Sequence, residues 1–214
     1  MGLLNRITPR RSDADAAPLS APSGDEAVFA TKALRKFLAS LASREAPVLL
    51  DLGPVVGSNV NFFGQQLGCK ILVEDIFADV ERHAKGGTLD ALPDFLRGRF
   101  PQPDASVDGI LCWDVIDYLD KASAQALADG LMRLLRPDGA LLAFFGTAQP
   151  RDTRYTKYVV VDEVNLQYRT YPASRGRQAI LVNRDILRLF SSLRVSDSFL
   201  LQNNLREILF RKQA

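Results

Sequence analysis

The sequence is poor in the residues that build metal and redox sites. Among 214 residues there are two cysteines, one histidine, one tryptophan and two methionines. Cys69 and Cys112 each sit in apolar, strand-like sequence with no Cys/His cluster at metal-ligand spacing, so no metal site is expected and both read as buried free thiols. The lone His83 lies in a polar run, Glu81-Arg82-His83-Ala84-Lys85, which suits a surface position. Long hydrophobic runs are also missing. The longest, such as Ile110–Trp113 and Ala140–Phe145, fall far short of the roughly 20 residues a membrane helix needs. Met1–Arg11 carries three arginines with no apolar stretch behind them, so a secretory signal is not supported and a cytoplasmic location is expected. Charge of one sign is lacking too: 27 basic against 25 acidic residues leave a net +2, which makes nucleic-acid or membrane-surface binding a minority reading. What is abundant is apolar side chain, 47%, enough for one sizeable core.

The chain divides by composition. Residues 1–24 mix Pro, Asp, Arg and Ser with few large apolar groups and read as a flexible tail. Residues 25–214 read as a single domain. Ala30, Leu34, Phe37, Leu38 and Leu41 fall at helical spacing, which predicts an amphipathic helix over 25–43. Strand-like runs (48–52, 71–73, 109–113, 140–145) then alternate with helical ones (59–67, 123–135), the pattern of a parallel sheet covered on both faces. Ser58 or Asn59 can cap the first of those helices and Asp120 the second, while Arg136-Pro137-Asp138-Gly139 ends a helix in a tight turn. The last third adds strand-like 158–161 and 166–171 and a helix over 183–190. Two further β segments flank Gln202-Asn203-Asn204, which predicts a terminal antiparallel hairpin.

The stretch Val48-Leu49-Leu50-Asp51-Leu52-Gly53-Pro54-Val55-Val56-Gly57-Ser58-Asn59 is a buried strand, a glycine-bearing turn and a helix start. Such a turn lets backbone N–H groups meet a ligand, with glycines where side chains would block its approach. Two glycines alone serve a tight turn equally well. About twenty residues on, Ile71-Leu72-Val73-Glu74-Asp75 ends a second strand in two carboxylates, where an acid can accept hydrogen bonds from ribose hydroxyls.

With these residues in order, the chain resembles the class I S-adenosylmethionine-dependent methyltransferases. Asp51-Leu52-Gly53 to Gly57 is similar to the family's first glycine motif, and Val73-Glu74-Asp75 to its ribose-binding acid. Pro103-Asp104-Ala105-Ser106-Val107-Asp108-Gly109-Ile110-Leu111-Cys112-Trp113-Asp114 resembles the run into its fourth strand, and Leu134 to Leu141 the turn into its fifth. The resemblance spans residues 45–146. It implies a Rossmann-like methyltransferase fold: a seven-stranded, mostly parallel sheet with a C-terminal antiparallel hairpin and helices on both faces. It also implies S-adenosylmethionine as cofactor and a small-molecule acceptor. Asp51, Gly53 and Gly57 would line the methionine end, Glu74 or Asp75 would hold the ribose, and Trp113 with Asp114 would lie beside the site. Two departures stand out. Val55 occupies a position where the family usually has a small residue, and a β-branched side chain there would crowd the ligand. Thr88–Leu96 does not register with the adenine-contacting motif.

Methyl transfer needs positioning more than an obligatory triad, and Asp114, Asp117 and Tyr118 are the acceptor-side polar candidates after the fourth strand. Residues 150–183 form an insertion expected to cover the acceptor pocket. It interleaves Arg151, Arg154, Lys157, Arg169, Arg175 and Arg177 with Tyr155, Tyr158, Tyr168 and Tyr171, and residues 151–214 hold 12 basic against 6 acidic groups. Such a set can grip an acidic small molecule or a nucleic-acid strand, or form a solvated hairpin packed on the core edge. Two other readings remain beside the enzyme. One is a non-catalytic binding or scaffolding module with a degenerate cofactor site closed by Val55. The other is a nicotinamide oxidoreductase, against which stands the G-x-x-x-G spacing.

Overall fold

The computed structural model describes residues 27–149 and 152–213; the tail expected over 1–24 lies outside them. The central sheet has six strands in the order β3-β2-β4-β5-β9-β8. These are β2 (Val48–Asp51), β3 (Lys70–Val73), β4 (Val107–Trp113), β5 (Leu135–Gly146), β8 (Leu193–Leu200) and β9 (Leu205–Lys212). β3, β2, β4 and β5 run parallel, and β9 runs antiparallel to both β5 and β8. The terminal hairpin is therefore where the sequence puts it, and Arg136–Gly139 bulges out of β5 between its Leu135 and Ala140 pairings.

The sheet thus has six strands and not the seven that the resemblance implies. Thr88–Leu96 forms a short 3-10 turn and then α4 (Leu92–Arg97). Pro93 sits in the first turn, where its missing N–H costs nothing, and Leu92 and Leu96, four residues apart, are both fully buried. The helix expected over 25–43 also splits. Ala27–Ala30 is a strand, β1, and the helix proper, α1, is Leu34–Ala42. β1 pairs with β7 (Asn165–Pro172), which pairs with β6 (Arg154–Asp162), so a second, three-stranded sheet of order β1-β7-β6 exists. Its junction with α1 is held by Glu207 of β9, buried, which accepts from the Thr31 hydroxyl and from the Lys32 N–H at 2.8 Å.

Side chains alternate across the central strands and build one core on each face. Leu50, Ile110 and Leu141 pack with α3 (Ile76–Gly86), α4, α5 (Lys121–Leu134) and α6 (Asn183–Leu189). Leu49, Leu111 and Leu142 pack with α1 and the second sheet. β4 is buried at all seven positions, Cys112 among them, and Cys69 is buried just before β3. Asp120 caps α5 as expected, accepting from the Ser123 N–H at 2.9 Å. α2 (Gly57–Asn61) has no side-chain cap, and it continues as a π-turn over Phe62–Gln66. Among the described residues no helix is long and apolar enough to cross a membrane.

Candidate functional site

The carboxyl ends of β2, β3 and β4 converge where the strand order reverses, the place where open α/β sheets bind ligands. Asp51 closes β2, buried, with one oxygen accepting from the Gly53 N–H at 2.9 Å and from the Trp113 indole N–H at 2.6 Å. Burial outweighs both bonds and pushes its carboxyl up to about 6. Gly53 is required by close approach, since a Cβ there would lie 2.9 Å from the Trp113 ring. Trp113 ends β4 at φ 49, a left-handed conformation that is costly for a bulky residue, and its ring stacks on Tyr158 of β6 with centroids 5.0 Å apart and planes 4° apart.

The second sheet closes this site. Asn59, placed by the sequence as a possible helix cap, instead bonds the β6 backbone: its amide donates to the Tyr158 carbonyl and accepts from the Val160 N–H, both at 2.8 Å. β6 is thereby moored beside the β2–α2 turn. Tyr155 of the same strand stacks on Phe77 at 4.1 Å, 16° from parallel. The chamber between Gly53, Asn59, Trp113, Asp114 and Tyr158 keeps about 10 Å³ of free space, less than one water fills comfortably. Val55 plays no part in this closure, because the residue is 68% exposed; the closing rings are those of Trp113 and Tyr158. Gly57 likewise has nothing within 4 Å of where a Cβ would stand.

The two ribose-acid candidates separate. Glu74 is bound by Arg99 at 2.6 Å and by the Gln102 amide at 3.0 Å, a structural use of its carboxylate. Asp75 caps α3, with one oxygen accepting from the Ala78 N–H at 2.9 Å, and partial burial raises its carboxyl above the ordinary range.

After β4, Asp114 and Asp117 share one arginine that sequence reading placed only within a basic insertion. Arg177 donates to Asp114 at 2.8 Å and lies 3.5 Å from Asp117. Its guanidinium crosses Gly146 so closely that any side chain there would collide with it. Asp117 also accepts from the Gly146 N–H at 2.7 Å, while its other oxygen is buried without a partner, and desolvation pushes the group up to about 7. The Tyr118 hydroxyl donates to the Arg154 carbonyl, so it serves to hold β6 down. His83, on α3, meets the Thr88 backbone and hydroxyl, away from this cluster.

No protein-family model and no curated protein matches this chain. Solved structures do. The PH0226 protein of Pyrococcus horikoshii OT3 superposes with a TM-score of 0.52 at 15% identity, over 84% of this chain and 89% of that one. A putative S-adenosylmethionine-dependent methyltransferase of Listeria monocytogenes matches at TM-score 0.50 and 13% identity, over 85% of this chain and 95% of that one. This is a methyltransferase fold. The [4+2]-cyclase SpnF also matches at TM-score 0.50, with 11% identity over 84% of this chain and 81% of that one. The methyltransferase fold thus houses more than one reaction, and the chemistry has to be read from the site.

Proposed function

We propose that the protein transfers a methyl group from S-adenosylmethionine to a small-molecule acceptor in the cytoplasm. The observation that carries this reading is the buried Asp51–Gly53 turn with Asp75 and Asp114 at the three neighbouring strand ends of a methyltransferase fold. The donor set suits the cofactor: Asp51 faces a cationic amine, the second oxygen of Asp75 a ribose hydroxyl, and Gly53 leaves room for backbone approach. When bound, S-adenosylmethionine would supply an electrophilic methyl group, its sulfur keeping the C–S electron pair as leaving group. Asp114, lining the site, takes the proton that the acceptor releases. Arg177, braced by Asp117 and Gly146, positions that carboxylate.

Calorimetric titration with S-adenosylmethionine and S-adenosylhomocysteine, NADH as control, tests this directly. Trp113 is the sole tryptophan, so its fluorescence reports the same event. Binding of the first two with a change in tryptophan emission is expected. The filled chamber favours a second reading, a binding module of methyltransferase fold whose cofactor site has closed on its own aromatics. Absence of binding at millimolar ligand would establish that reading over the first.

A further inference from the structure

Beyond Tyr158 lies a second chamber of about 440 Å³, between the second sheet and the ends of β5 and β9. Thr156 and Tyr158 line both chambers and form the wall between them. Three aromatic rings stand around the larger one. Phe29 meets Tyr168 at 4.7 Å between centroids, and Tyr168 meets Tyr158 at 4.9 Å, edge to face. Such rings offer π faces to a flat ligand. The polar groups are hydroxyls (Thr156, Thr170, Tyr158, Tyr168), the amides of Gln149, Asn203 and Asn204, and Arg177. The Tyr158 hydroxyl is fully buried with no hydrogen-bond partner, an omission that native structures seldom tolerate without cause. Arg177 presents no naked cation, since Asp114 and Asp117 flank it. A phosphate-bearing ligand would meet two carboxylates for one guanidinium.

We infer that this chamber binds a planar aromatic molecule bearing a hydroxyl or amine, uncharged or singly charged, with its polar group completing the Tyr158 hydroxyl. Under the methyltransferase reading, on which only this role rests, that molecule is the methyl acceptor, meeting the cofactor where Thr156 and Tyr158 line both chambers.

The test uses the full chain, 2-naphthol as probe and 2-naphthyl phosphate as its charged counterpart, by calorimetry. Micromolar to submillimolar binding of 2-naphthol is expected, with the phosphate at least tenfold weaker. Tyr158→Phe should weaken 2-naphthol about tenfold, the scale of one lost buried hydrogen bond. Thr170→Phe, on the chamber wall, should abolish it while leaving the melting midpoint and the affinity for S-adenosylhomocysteine unchanged. No 2-naphthol binding, equal binding of both probes, or full binding by Thr170→Phe each overturns the proposal. If 2-naphthol binds as described and S-adenosylhomocysteine does not, the chamber stands and the methyltransferase reading falls; the reverse result separates them the other way.

Discussion

Asp51 shows at a single residue how a site conflicts with the stability of its fold. Its carboxyl goes from an ordinary value unfolded to about 6 folded. The folded state therefore binds more protons between about pH 4 and 6, and stability falls as pH rises through that window and stays at the lower level above it. A rise of about two pH units corresponds to about 3 kcal/mol as an upper bound. Because Gly53 and Trp113 both donate to the same oxygen, an amide oxygen can accept both bonds. Asp51→Asn should thus raise the melting midpoint at pH 8, by up to about 3 kcal/mol of stability, and flatten the pH 4–6 slope. The same variant should lose more than tenfold in S-adenosylmethionine affinity through the lost charge. A midpoint at pH 8 no higher than wild type would place the cost of this carboxylate elsewhere. Asp117, pushed up to about 7 by the same desolvation, extends the decline toward neutrality.

At the scale of elements, the mooring of β6 depends on one side chain. Asn59 supplies both bonds that join the start of α2 to β6. Asn59→Ala leaves a buried carbonyl and a buried N–H unpaired and should destabilise the protein by about 2–4 kcal/mol, two such groups at about 1–2 each. Amide exchange should accelerate in β6 before it does in β4. Uniform acceleration across both strands would show that β6 is held by its packing alone. This element also marks the limit of what was legible. The strands β2 to β5 and the terminal hairpin follow from apolar runs and turn residues that act locally. The helix α4 turns on Pro93 and the four-residue spacing of Leu92 and Leu96, both present in the sequence. The extended Ala27–Ala30 could not be read locally, because its strand character comes from pairing with Asn165–Tyr168 far along the chain.

For the molecule as a whole, the two cores are joined through β2, β4 and β5, whose alternating side chains feed both faces. The residues of the site were mostly visible one at a time: Asp51, Gly53, Asp75 and Asp114 carry local motif signals. Their closure was not, since Trp113, Tyr158, Asn59 and Arg177 meet only through long-range contacts, up to 101 residues apart for Asn59 and Val160. Val55 drew attention by its position in a motif, yet its side chain faces solvent. The buried thiols give the joined cores a kinetic signature. Cys112 is fully buried in the core under α3 to α6, with its thiol pushed far above the ordinary range, and Cys69, at the sheet edge in the other core, is pushed up to about 11. Only thiolates are alkylated at useful rates. Iodoacetamide should therefore mark Cys112 at the rate of global opening and Cys69 at the faster rate of local fraying, measured by mass spectrometry over time. The chain thus has two internal clocks, running at different speeds, that time its own unfolding with no residue introduced for the purpose.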